Sequence, residues 1–269
     1  MHIKRPILLL LAILSLVPAL AQAGAVLFIY PTLIMFEGNE RSSTITLSNR
    51  GDETGTFEMS WTDMTMNSDG GLVKHEGPAP WSIQSYVRYS PRRVTLAPLE
   101  SQVIRIAVRH GLDVPEGEYY SHFRVLTLNS EDPSALEAEA AEQVAAAVVI
   151  EARSAVAVPI IWRNSRDSSS ASIEAVRIDR DTNQLSVDVM RHGQLSVRGF
   201  LHVFETAADG ARSSLAEPVP LVIYPSLDAR TMTIDLNDGV SAGNAEVYYS
   251  TDLEMTDKSV VIDSYSIVP

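Results

Sequence analysis

The 269 residues include 45% hydrophobic and 20% charged side chains, enough apolar surface for a folded core and too little charge for a largely disordered chain. Acidic side chains outnumber Lys and Arg 34 to 21, giving a net charge of −13, which argues against nucleic acid and anionic membrane surfaces as partners. The absence of cysteine excludes disulfide scaffolds, thiolate zinc sites and cysteine nucleophiles.

In chain order, the first element is a targeting segment. His2, Lys4 and Arg5 form a basic start, residues 6–20 an apolar run, and Ala21-Gln22-Ala23 a small-residue cleavage site. A membrane span needs about 20 apolar residues; this run is shorter and is broken by Pro18. It reads as a secretory signal peptide over 1–23, cleaved before Gly24, which predicts export to the periplasm without membrane insertion. Cleavage removes two basic residues and no acid, so the mature chain is more acidic still.

From Gly24 onward apolar residues repeat with period two in short runs, predicting strands over 43–49, 55–63, 101–109 and 117–128. Turn residues at 49–52, 67–71, 98–100 and 115–117 separate these runs. In the clearest run Ile104, Ile106 and Val108 face one side, and Arg105, Ala107 and Arg109 the other, because strand side chains alternate.

Residues 131–143 (EDPSALEAEAAEQ) break the pattern and read as a helix or a mobile acidic loop. A long apolar strand over 144–163 follows. At a sheet edge, its main-chain groups and alternating aliphatic side chains would form a template for another chain, an arrangement proteins normally avoid.

Residues 164–170 (NSRDSSS) read as a linker. Seven short strands follow, over 173–178, 185–190, 199–204, 219–223, 231–236, 245–250 and 259–267, as in an immunoglobulin-like sandwich. The expected fold is therefore all-β, with two immunoglobulin-like β-sandwich domains in tandem over residues 24–164 and 165–269.

Motifs for chemistry are missing. His75, His110, His122, His192 and His202 have no metal-ligand spacing, and His122, inside a predicted strand, reads as a packed or edge histidine. No G-x-S-x-G elbow occurs, no glycine motif precedes a helix to cradle phosphate, and Glu137, Glu139 and Glu142 read as a solvated loop. The expectation is a protein that is not an enzyme and needs neither cofactor nor metal.

Two stretches carry a family likeness. One runs from Tyr30-Pro31-Thr32 through Phe36-Glu37-Gly38 to Ser42; the other is Val87-Arg88-Tyr89-Ser90-Pro91-Arg92-Arg93-Val94-Thr95-Leu96, continuing through Pro98 to Gly117-Glu118-Tyr119-Tyr120. Both resemble the N-terminal domain of PapD-like periplasmic pilus chaperones, and Ile223-Tyr224-Pro225-Ser226 resembles part of their second domain. The resemblance implies a chaperone that lends a strand to incomplete pilin-like subunits and delivers them to an outer-membrane usher. It makes 144–163 the donating strand, with Val144, Ala146, Val148 and Ile150 as the inserted residues and Val149 in the alternative register.

The family's usual carboxylate anchors, an Arg in the first strand and a Lys in the donating strand, are replaced here by Leu33 and Pro159. Arg88, Arg153 and Arg163 are the remaining candidates for that role, and Arg163 also matches an interdomain salt-bridge position. The alternative reading is a structural subunit or adhesin of a surface fibre built from the same modules.

Overall fold

The computed structural model describes residues 24–128, 154–206, 211–237, 245–255 and 261–266. The expected signal segment, the acidic stretch at 131–143 and the candidates Val144, Ala146, Val148, Val149, Ile150 and Arg153 lie outside the described residues. Among those described the chain forms strands and no helix.

The first unit contains β1 (Leu27–Tyr30), β2 (Ile34–Phe36), β3 (Ser42–Asn49), β4 (Gly55–Thr62), β5 (Met64–Met66), β6 (Leu72–Lys74), β7 (Val87–Ser90), β8 (Arg93–Leu96), β9 (Ser101–Val108), β10 (Gly117–Leu128) and β11 (Ala155–Asn164). One sheet runs β1-β3-β9-β7 and the facing one β2-β11-β10-β4-β8, with β5 and β6 as a separate hairpin. Alternation fills the space between the sheets. Ile45 and Leu47 of β3, and Ile104, Ile106 and Val108 of β9, meet Phe57 of β4, Phe123 and Val125 of β10, and Val158 and Ile160 of β11.

Two strands are cut by proline and change sheets. β1 and β2 lie on opposite sides of Pro31, and β7 and β8 on opposite sides of Pro91, so each pair contributes to both layers. Proline has no N–H for the ladder, which makes it a natural place to leave one sheet for the other. The turn at 49–52 is fixed by fully buried Asn49. Its Oδ1 accepts from Val26 N–H (3.2 Å) and Gly51 N–H (3.0 Å), while Nδ2 donates to the carbonyls of Glu53 (2.6 Å) and Leu96 (3.1 Å).

The second unit contains β12 (Ser170–Asp179), β13 (Gln184–His192), β14 (Val197–Thr206), β15 (Arg212–Ser214), β16 (Val219–Ile223), β17 (Ala229–Asp235), β18 (Ala245–Ser250) and β19 (Val261–Ser266). β12-β13-β17 form one sheet. In the other, β14 pairs β18 on one edge and shares its opposite edge between β15 and β16. Leu185, Val187, Val189, Leu201, Leu221, Ile223 and Val247 form the core between them. β15 was absent from the sequence expectation: its three residues are polar and exposed, so they carry no apolar alternation to read.

Candidate functional site

The candidate site begins at the open side of β11. Thr127 N–H donates to the Ser154 carbonyl at 3.0 Å, which makes this facing pair a hydrogen-bonded one. Bonded and non-bonded pairs alternate along an antiparallel ladder. In the β10–β11 register, Val156, Val158 and Ile160 therefore bond to β10, and Ala155, Ala157 and Pro159 turn their main-chain groups the other way. β2 covers that other side only from Ile160 to Trp162, in parallel pairing with Ile34–Phe36. Ala155, Val156 and Ala157 are exposed, and no described residue bonds to the outward groups of Ala155 and Ala157. Pro159, the next residue with that orientation, has no N–H to offer.

The outer face of the same sheet forms a cleft with the second unit. Along β10 the row Glu118, Tyr120, His122 and Arg124 points away from the first core, by alternation with Phe123 and Val125. Tyr120 stacks between Trp81 (centroids 5.9 Å) and Tyr224 of the second unit (4.6 Å). Met66 and Ile161 complete this buried cluster, with Leu33, Met35, Val222 and Leu227 packed around it. Burial pushes the Tyr120 phenol up to about 12.

Polar clamps surround these rings. Glu118, whose side chain is 0% exposed, accepts through Oε2 from Arg163 Nε (2.9 Å), Ser196 N–H (3.2 Å) and the Ser196 hydroxyl (3.0 Å). Arg163 also donates through Nη1 to Glu37 Oε1 (2.9 Å) and through Nη2 to the Ser196 carbonyl (2.8 Å). One guanidinium thus ties two carboxylates of the first unit to the main chain of the second. Asp63 accepts from the Ser82 hydroxyl (3.1 Å), the Ser121 hydroxyl (2.5 Å) and Gln84 Nε2 (2.9 Å).

His122 is 1% exposed and beside Tyr224 (centroids 6.0 Å). Burial first, then the charge of Arg198, brings its imidazole down to about 4 against a weaker opposing pull from Asp63, so it is neutral at pH 7. The Arg198 guanidinium carbon lies 5.2 Å from the centre of the Tyr224 ring, a cation–π distance. Burial also raises the Tyr224 phenol.

The residues singled out from sequence are separated by the fold. Arg88 is exposed on β7, in the sheet that faces away from the cleft, opposite Ala107 of β9. Arg163 is at the cleft, but its donors are engaged by Glu118, Glu37 and Ser196. Leu33 packs on the apolar cluster, and Pro159 faces His122 across the ladder. Arg198 and Trp81 were missed because each is a single residue with no motif. Only the alternating row from Glu118 to Arg124 signalled a polar face on a buried strand.

By fold, the protein belongs to the class of tandem immunoglobulin-like sandwiches, here with an open strand edge on the first unit and a bonded cleft between the two. No family model and no curated protein matches the chain. Among solved structures, it is similar to a chain of the chaperone–tip adhesin complex of CFA/I fimbriae at 13% identity and TM-score 0.48, over 91% of this chain and 100% of that one. It is also similar to a chain of the CsuC–CsuE chaperone–tip subunit pre-assembly complex from the archaic chaperone-usher Csu pili of Acinetobacter baumannii (14%, 0.47, 90% and 97%). A third likeness is to the YadV chaperone (12%, 0.47, 90% and 99%).

Proposed function

We propose that the protein is a periplasmic chaperone that binds and stabilises subunits of a pilus or surface fibre by lending them a strand, then passes them to an outer-membrane usher. The observation that carries this reading is the open side of β11, where Ala155 and Ala157 turn outward N–H and C=O groups that no described residue bonds, beside exposed Val156. An incomplete sandwich supplies the complementary strand edge, so added main-chain hydrogen bonds give affinity and alternate aliphatic side chains fill its groove. The residues N-terminal to this edge, with Val144, Ala146, Val148 and Ile150, continue the apolar pattern in the sequence. Neither catalysis nor a cofactor enters the mechanism, because the client folds on the surface lent to it.

The test is the double substitution Val148→Glu and Ile150→Glu in the producing strain. The expected result is a folded protein at normal abundance with loss of co-purifying subunits and of surface fibres. Normal subunit recovery overturns the assignment. Fractionation adds a second arm: the chaperone stays in the periplasmic extract, and recovery in sheared surface material would make it a fibre subunit instead.

A further inference from the structure

The sheet β1-β3-β9-β7 turns a second polar surface outward, on the side away from the cleft. Its outward side chains include Arg88 and Ser90 of β7, Arg105 and Ala107 of β9, and Ser42 of β3, alternating with the core residues Val87, Ile106 and Val108. Arg88 faces Ala107, which faces Ser42, while Ser90 faces Arg105, so the two arginines are diagonal neighbours across one ladder. Small side chains between long ones leave a hollow. It is a cavity of about 270 Å³, with Arg41, Arg88, Arg105 and Ala107 in its lining.

The charge of this hollow is opposite to that of the molecule. In a chain of net charge −13, no acidic side chain lines it. Arg93, Arg163, Arg177, Arg191 and Arg212 all pair with carboxylates. Arg88 and Arg105, both exposed, form no ion pair and no side-chain hydrogen bond among the described residues. Arg41 spends Nη1 on the carbonyls of Gly38 (3.1 Å) and Glu40 (3.0 Å) and adds a third positive charge. Diagonal neighbours on one sheet face lie about 7–8 Å apart, within reach of long side chains. Two unpaired guanidiniums so placed repel each other, and an anion between them reverses the sign of the interaction.

We propose that Arg88 and Arg105 form a binding site for a phosphoryl dianion on the outer face of this sheet. A carboxylate fills one guanidinium fork and leaves the second charge unmatched. A phosphate dianion carries both charges, and its tetrahedral oxygens can meet two forks at once while accepting from the Ser90 hydroxyl in the same lining. A single phosphoryl group suits the site better than a polyanion, because nucleic acid or an anionic bilayer brings extended negative charge against the acidic remainder of the chain. The site uses neither the open side of β11 nor the cleft, and it stands whether or not the chaperone reading does. Two sources supply this chemistry: free phosphate, and a phosphate monoester on a larger molecule.

The test is calorimetric titration of the full chain with sodium phosphate at pH 7.5, with sodium acetate and sodium chloride at equal ionic strength as controls. The expected result is saturable binding of phosphate, at least tenfold tighter than of acetate, and an affinity reduced about tenfold in Arg88→Gln and again in Arg105→Gln. Arg180→Gln removes the same charge from an exposed turn of the second unit and should change the affinity less than twofold. Phosphate held no more tightly than acetate or chloride overturns the proposal. So does an Arg180→Gln variant weakened as much as Arg88→Gln, which would mark a general attraction of charge. Circular dichroism checks that the variants fold; should one fail, Arg88→Lys or Arg105→Lys keeps the charge, loses the fork and must still weaken binding. Glycerol 3-phosphate separates the sources: binding as tight as phosphate or tighter assigns an ester, and binding of phosphate alone assigns the free ion.

Discussion

The Arg163–Glu118 pair gives a quantitative test of how the two units are joined. Arg163→Met leaves the Glu118 carboxylate sealed at 0% exposure with only the Ser196 N–H and hydroxyl as donors. Stranding one member of a buried pair costs about 3–5 kcal/mol. Because the Arg163 side chain is itself 23% exposed and the Ser196 donors persist, the lower end, about 3 kcal/mol, is expected. Glu118→Gln keeps an acceptor for Ser196 and leaves Arg163 its contact with Glu37, so it costs about 1 kcal/mol. The double variant has no stranded charge and should cost about 2 kcal/mol, not the sum of the two single changes, a coupling of about 2 kcal/mol. Urea denaturation followed by tryptophan fluorescence measures this, because Trp61, Trp81 and Trp162 all lie in the first unit. With slopes of about 1–3 kcal/mol per molar urea, a loss of 3 kcal/mol moves the midpoint by about 1–3 M. A midpoint within experimental error of wild type for Arg163→Met, or strictly additive single effects, would refute the argument.

Two further outcomes follow from the same cleft. The folded-state pKa of His122, about 4, lies below its ordinary 6.5, so its contribution to stability is complete above about pH 6.5 and is lost as pH falls toward 4. Full loss amounts to about 3 kcal/mol; the urea midpoint of wild type should fall more steeply than that of His122→Phe between pH 6.5 and 5, and parallel profiles would exclude the buried neutral imidazole. Gly199 sits in β14 where an added Cβ would collide with the Ser250 carbonyl and approach a Tyr249 ring carbon to 2.6 Å; Gly199→Ala should cost about 1–3 kcal/mol and lower the melting temperature by several degrees, and an unchanged melt would contradict the β14–β18 pairing.

Much of the architecture was legible because period-two alternation is a direct record of which face a residue buries. Ile104, Ile106 and Val108 were expected inward and are 0%, 0% and 2% exposed. Trp61, which alternation along the predicted strand 55–63 places on the same side as Phe57 and Met59, is only half-buried: it sits near the end of β4 and packs edge-on against Tyr89 and Phe123 at the border of the core. The cleft was far less legible. Glu118 and Ser196 are 78 residues apart, and Tyr120 and Tyr224 meet only after both units have folded, so no local spacing foretells them. Arg88 shows the converse: its motif marked it as a candidate, yet strand direction carries it to the sheet that faces away from the second unit.

Pro159 sets an end stop on the open side of β11. A guest laid alongside finds donors at Ala157 and Ala155, then meets a residue with nothing to donate just before β2 takes over the ladder. Beyond that point β2 already occupies the edge, so on the reading proposed above a guest strand would have its register counted from this end, with any variation in length taken up at the other.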